Sequence, residues 1–496
     1  MGGSSGIDGA ISRVVFPGVV FGRDDLASHA RLARAGAGGF CLYRGPSRQI
    51  IRAVASFSKA AGRPLFFCAD YEEGVWSHCP DATPLPSNMG IAASGSERLA
   101  YLKGLLTARE AQALGVSWVL APVVDLASRS DNPIINTRSF GADPGNVVRL
   151  AGAYMRGLRR GGVMSCLKHF PGHGSAASDS HLVLPRLRAG ARELWRRDLL
   201  PFKLLSAHAD AVMAAHVLAP GLSEPKTPVS LSPALGDILR DRWGFQGLIL
   251  TDAIHMKAVS GHFGEFEAAC RALAAGADVL LVPQDPGALM ARLAAEVRRT
   301  PALDACSRRA VRLLDAVARR RLPPKAPTLE ILEKTREIIL GRRSHRLEAD
   351  RMARLCLAWK PRTPRPKIGR EVAYLESGTL GRQPEGEAFI GALRSMGIRV
   401  VPWRRGMRLP VVLGSFMRPR ARSGLIHYGR DSLFSLRKVL REAPASLVVS
   451  FGSPFVLADL PGAGLCAFSA HAPSQRAAAE AVAGKISVSG KMPVSL

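Results

Sequence analysis

The sequence predicts an α/β chain, an N-terminal (β/α)8 TIM-type barrel followed by an αβα sandwich, on three observations. At 496 residues it is too long for a single core, so two domains are expected. Over the first half of the chain, short β-branched or apolar runs alternate eight times with longer Ala-, Leu- and Arg-rich amphipathic stretches. A proline-rich stretch follows, and a second, shorter alternation begins near His345.

The eight runs are residues 14–21, 39–43, 65–69, 118–124, 163–167, 211–215, 248–251 and 279–282. Helical stretches fall between them, among them 98–114, 146–160, 235–243 and 265–275. That count and rhythm belong to a (β/α)8 barrel. A doubly wound open sheet is the alternative, but no G-x-G-x-x-G follows the first run. Residues 307–322 and 329–340 read as surface helices flanking Pro323-Pro324-Lys325-Ala326-Pro327, a stiff linker. The later runs, 372–375, 400–402, 411–414, 447–451 and 465–468, suggest five parallel strands with helices such as 387–395 and 475–483. The expected division is therefore 1–320 for the barrel, 321–345 for a linker with a helix, and 346–496 for the sandwich.

Composition narrows the function. The 68 basic and 40 acidic residues give a net charge of +28, which would suit an anionic partner. The arginines are dispersed, however, with no aromatic interleaving and no nucleic-acid motif, so a nucleic-acid partner is not expected. Eight scattered cysteines without a C-x-x-C pair fit a reduced cytoplasm and give no sign of zinc. No apolar stretch is long enough to span a membrane, and the N-terminus does not read as a secretion signal. Nothing in the sequence bears on the oligomeric state.

The chemistry gathers at the run ends. Asp70 ends the third run, Asp125 the fourth, Lys168-His169 the fifth, His216 the sixth and Asp252 the seventh. In a barrel those ends share one face, the face that carries catalysis. A single Asp there is more often a helix cap, but Lys and His cap helix N-termini poorly. The densest stretch is Lys168-His169-Phe170-Pro171-Gly172-His173-Gly174, with Asp179-Ser180-His181 shortly after it. Its Pro and Gly residues argue for a loop leaving the strand, not for a helix or a ladder strand.

Several chemistries can be set aside. His169, His173 and His181 could ligate a metal, but the cationic Lys168 beside His169 opposes one. A G-x-S-x-G elbow and a phosphate-binding G-x-x-x-x-G-K-[ST] loop are both missing. Carboxylate chemistry on an uncharged, hydroxyl-rich substrate remains. Asp252 suits an ionised nucleophile, and His181 can carry the proton, oriented by Asp179. Lys168, His169 and Asp70 would then hold hydroxyls. Asp125 and His216 could simply brace the barrel loops, and His173 could shape its glycine-flanked turn. No cofactor is called for.

These blocks resemble glycoside hydrolase family 3, in its two-domain β-N-acetylglucosaminidase (β-hexosaminidase) branch. The pattern K-H-F-P-G-H-G, four residues, D-S-H is matched by Lys168–Gly174 and Asp179–His181. The segment from Ala121 to Asp125, with Asp131-Asn132-Pro133 and Arg138-Ser139-Phe140-Gly141, is similar to A-P-V-x-D, N-P and R-S-F-G. Thr251-Asp252-Ala253 with Met256 is similar to T-D-A-x-x-M, and residues 474–480 and 490–495 resemble the second domain of two-domain members. The resemblance implies a retaining exo-β-N-acetylglucosaminidase acting on peptidoglycan fragments or chitin-type oligosaccharides. It makes Asp252 the nucleophile and His181, with Asp179, the acid/base. Asp70, Arg138, Lys168 and His169 become sugar contacts.

One block departs from the family. Where D-Q-E-G-G-R-V-x-R is usual, this chain reads Asp70-Tyr71-Glu72-Glu73-Gly74-Val75-Trp76-Ser77-His78. Both arginines are gone, and His78, at the second of their positions, is a shorter and usually neutral donor that is still a candidate sugar contact. Ser175-Ala176 likewise replaces the usual Asp-Thr. A phosphorylase using the same residues, or a catalytically weakened sugar-binding protein, is the alternative reading.

Overall fold

The computed structural model describes residues 10–176, 184–364, 366, 368–378, 384–419 and 426–496. The chain forms two compact units. One comprises residues up to Thr83, Tyr101–Asp125 and Ala151–Arg342, and the other Pro84–Ala100, Leu126–Leu150 and Arg343–Leu496.

The first unit is a (β/α)8 barrel. Its strands are β1 (Val15–Phe16), β2 (Gly18–Val20), β3 (Gly39–Tyr43), β4 (Phe66–Ala69), β5 (Trp118–Val119), β6 (Cys166–Phe170), β7 (Ala211–Ala214), β8 (Leu248–Thr251) and β9 (Leu280–Leu281). All ladders are parallel: β2–β3–β4–β5, β6–β7–β8 and β1–β9. Bridges Trp118↔Met164 and Val123↔Lys168 join β5 to β6, and Leu250↔Val279 joins β8 to β9, so the ring closes. The first run is split in two because Pro17 has no N–H. On one side of Pro17 the chain pairs with the last strand, on the other with the second.

The strands are buried on both faces, as barrel strands must be. Phe16, Phe66 and Trp118 meet inside with ring centroids 5.9–6.2 Å apart and give the lumen a packed aromatic floor. Outside, helices Glu97–Ala113 and Pro144–Arg160 cross at glycines. A Cβ at Gly104 would run into the Tyr154 carbonyl, and one at Gly157 into the Tyr101 carbonyl. The expected helix 235–243 is also less regular than its periodicity suggests: Asp237–Arg242 is a π-helical turn, as is Leu194–Asp198.

Two strand expectations need correction. The fourth run ends as a ladder at Val119, because Pro122 cannot donate beyond it. The fifth begins later and runs further than expected, so Lys168 and His169 lie within β6 and not in a loop after it. The ladder shifts register between Leu167 and Phe170, which lets two polar side chains sit inside a strand. The Ala121–Pro122, Lys168–His169 and Phe170–Pro171 peptide bonds are cis.

The second unit is an αβα sandwich around a six-stranded sheet, one strand more than the alternation suggested. Its strands are β10 (Ala358–Trp359), β11 (Glu371–Ser377), β12 (Arg399–Pro402), β13 (Val411–Ser415), β14 (Ser446–Ser450) and β15 (Ala463–Cys466), in the order β10-β15-β14-β13-β11-β12. The additional β10, two residues long and antiparallel to β15, is too short to carry a periodic signal. Alternate residues face opposite sides: Val372 and Val412 pack with Phe389 and Ala478, whereas Ala373 and Leu413 pack with Leu436 and Val456. Among the described residues no helix is long and apolar enough to cross a membrane.

The helix crossing offers a test. Gly104→Ala improves helix propensity by about 1 kcal/mol, yet it drives a methyl group into backbone that cannot yield. We expect a net loss of about 1–3 kcal/mol, read as a lower urea midpoint with an unchanged m value.

Candidate active site

The barrel brings five strand-end positions onto one face. Asp70 follows β4, Asp125 lies beyond β5, Lys168 and His169 belong to β6, His216 follows β7 and Asp252 follows β8.

Lys168 is buried, its side chain 1% exposed, which would be costly for an unpaired ammonium. Its Nζ lies 2.6 Å from Asp70 Oδ1 and 2.7 Å from Glu72 Oε1, two charge-assisted bonds that offset desolvation. The cluster carries a net negative charge, and Asp70, 30% exposed, is its solvent-facing member. Glu72 is the partner that sequence reasoning missed. A signal existed, because the third position of the D-x-E block is retained, but only the three-dimensional pairing with Lys168 reveals its use.

Asp125 is fully buried and organises the neighbouring turn. Its Oδ1 and Oδ2 each accept from His169 N at 3.1 Å, Oδ2 pairs with His169 Nδ1 at 2.6 Å, and Oδ1 accepts from His173 N at 2.7 Å. Burial alone would raise its proton affinity. The interactions with His169 and His173 outweigh burial and hold the carboxyl below its usual range. An ionised Asp125 makes Nδ1 the donor nitrogen of His169 and orients the ring.

Asp252 donates its backbone N–H to Ala214 O at 2.9 Å, and its Oδ1 accepts from Ala253 N at 2.7 Å. Two buried imidazoles feel its charge. Burial pushes His173 down to about 4, against the opposing pull of Asp125 and Asp252, so it is neutral at pH 7. Burial lowers His216 too, despite the nearby Asp252, and its Nδ1 lies 2.7 Å from Ser230 Oγ. His216 therefore adjoins the Asp252 site, with its ring fixed through Ser230.

His78 follows the short 3-10 turn Val75–Ser77, and its carbonyl accepts from Gly45 N at 2.9 Å. Burial lowers its proton affinity, with Asp70 and Glu72 acting the other way, so it borders the Lys168 cluster as a neutral ring. Its ring meets Tyr43 edge-on at 5.5 Å, and its Nδ1 is buried with no hydrogen bond among the described residues. Val75, at the other lost arginine position, is fully buried.

Arg138 belongs to the second unit, where its Nη1 donates to Ile134 O at 3.1 Å and its carbonyl accepts from Asn88 Nδ2 at 2.7 Å. Asp179 and His181 lie outside the described residues. Among the described residues no group of three or more His, Cys, Asp or Glu side chains is placed to hold a metal ion.

An anionic cluster, an oriented imidazole and a strand-end carboxylate thus share one face, groups of the kind that carboxylate chemistry on a polyol would use. Comparison with known proteins agrees with this chemistry. The model of the glycosyl hydrolase family 3 N-terminal domain matches residues 40–314. A β-hexosaminidase of Chromobacterium violaceum is 37% identical over 283 residues, covering 54% of this chain and 78% of that protein. The structure of a glycoside hydrolase family 3 β-N-acetylglucosaminidase from Paenibacillus sp. superposes with a TM-score of 0.85 at 25% identity, covering 99% of both chains. A β-glucoside phosphorylase superposes at 0.88 and 24% identity, over 99% of this chain and 94% of that one, a likeness of fold.

Removing the Asp125 carboxylate leaves three N–H groups of His169 and His173 without their acceptor. Asp125→Ala should cost about 3–5 kcal/mol at neutral pH, measured by denaturant unfolding. Because the folded-state value is depressed, this stabilisation is complete above about pH 4 and fades as pH falls through the lower folded value, so the gap to wild type should narrow there. With the family model matching more than half its length, the chain belongs to glycosyl hydrolase family 3.

Proposed function

We propose that the chain is a retaining exo-β-N-acetylglucosaminidase that removes terminal non-reducing N-acetylglucosamine from peptidoglycan fragments or chitin-type oligosaccharides. Its family and its β-hexosaminidase relatives make it a glycoside hydrolase with a carbohydrate substrate. The observation that carries the reading is the strand-end constellation in one barrel unit. Lys168 is held between Asp70 and Glu72, His169 is locked to Asp125, and Asp252 stands at the end of β8.

In this reading an Asp252 oxygen attacks C1 and the bond from C1 to the leaving oxygen breaks. That oxygen takes its proton from His181, which Asp179 orients. Water then gives a proton to the neutral His181 while its oxygen displaces Asp252 from C1, and two inversions amount to retention. Asp70, Lys168 and His169 hold sugar hydroxyls, with Arg138 and His78 as further contacts. His78 and Val75 stand where two arginines are usual, so recognition leans on the Asp70–Lys168–Glu72 cluster. We also infer a cytoplasmic setting, because all eight cysteines are free.

A second reading uses the same groups. His173 and His216 are neutral imidazoles near Asp252, and an acid/base histidine brings no negative charge. Phosphate could therefore take the place of water, transferring the sugar to give a sugar 1-phosphate.

The test is turnover of 4-nitrophenyl N-acetyl-β-D-glucosaminide beside the β-glucoside, in phosphate and phosphate-free buffers. Release from the acetamido sugar, lowered on the order of 10⁴-fold by Asp252→Ala, is the expected result. A product that forms only with phosphate would move the assignment to the phosphorylase. Sugar binding without any turnover would leave a binding protein.

A further inference from the structure

One buried carboxyl group near the active site has no part in the mechanism above. Asp198 closes the π-helical turn Leu194–Asp198 and begins the helix Leu199–Ser206, which packs on β6 through Phe202, its ring edge-on to Phe170 at 5.6 Å. It is 3% exposed, and its Oδ1 is buried with no hydrogen bond among the described residues. It rests against the middle of the signature turn. Gly172 has φ +115°, and a Cβ built there would lie 2.9 Å from Asp198 Cβ and 3.5 Å from its Oδ1 and carbonyl oxygen. Gly172 N in turn donates to His169 O at 2.8 Å.

Asp125 and Asp198 thus both bear on the turn from His169 to His173, under opposite conditions. Asp125 has backbone and ring N–H groups to stabilise its charge. Asp198 Oδ1 has none. Two buried carboxyls that cannot both ionise cheaply divide the roles, and the better hydrogen-bonded one keeps the charge. Burial, reinforced by the Asp125 and Glu193 charges and opposed by Arg197, pushes the Asp198 carboxyl up to about 7.

We propose that Asp198 is a positioning residue of the catalytic turn, a carboxylic acid seated against Gly172 that keeps its proton up to neutrality and so leaves Asp125 to carry the charge that holds His169 and His173. When Asp198 loses its proton, a second negative charge competes with Asp125 for the same turn, and the sugar-binding His169 loses its fixed orientation. The rate consequence rests on the hexosaminidase reading. The protonation of Asp198 does not.

The experiment compares wild type with Asp198→Asn, which keeps the shape and cannot ionise. The folded carboxyl keeps its proton to higher pH than the unfolded chain, whose value is about 3.9. Its contribution to stability is therefore complete below that value and lost as pH rises toward neutrality. The Tm of Asp198→Asn relative to wild type should rise by several degrees between about pH 4 and about pH 8. On the aryl N-acetylglucosaminide, the alkaline limb of kcat/KM should move to higher pH in Asp198→Asn while the acid limb stays in place. A Tm difference independent of pH would overturn the proposal, as would coincident rate profiles. Should Asp198→Asn fail to fold, Asp198→Ser carries the same comparison. If wild type turns over neither sugar, the hexosaminidase reading fails and the Tm comparison alone decides the state of Asp198.

Discussion

The active face depends on one buried anion. Asp125 has no access to water, yet it stays ionised because His169 and His173 direct backbone and ring N–H groups onto its two oxygens. That arrangement couples the end of the fourth barrel strand to the fifth and sets the direction of His169. It also draws the chain into the turn against which Asp198 packs. The barrel supplies the closeness of the two strands, and Asp125 converts it into a fixed direction for an imidazole. In a low-dielectric interior such a network is all or nothing, since any member left alone would be a buried polar group without a partner.

A second electrostatic unit works beside it on different terms. Lys168 satisfies two carboxylates at once, and the resulting cluster faces solvent through Asp70. The acceptors there have their charge already partly compensated, which in the proposed function suits hydrogen bonding to hydroxyls better than binding a cation. The Asp70–Lys168 pair faces solvent, whereas the Asp125–His169 pair holds a ring in position.

The eightfold alternation and the polar residues at the run ends were legible because barrel strands are buried on both faces and end abruptly. What periodicity could not show was where a ladder stops. Pro17 and Pro122 interrupt two strands, and the register shift in β6 admits Lys168 and His169 to a strand that polarity alone would have ended earlier. Asp252, Asp70, Lys168 and His169 stood out as single residues. Glu72 did not, because its meaning comes from an ammonium nearly a hundred positions away along the chain. The same holds for Asp198, an ordinary acid at a helix start until Gly172 is seen against it. Arg138 shows a further limit, since the sequence placed it in the barrel and the fold groups it with the sandwich.

The burial of Val75 bears on what the altered block can accommodate. The family pattern that this block resembles has an arginine there, whereas Val75 is fully buried. Placing an arginine there would force a guanidinium into a fully buried position, at the expense of the fold. Grafting the relatives' block into this chain would accordingly require redesigning the packing beneath it first.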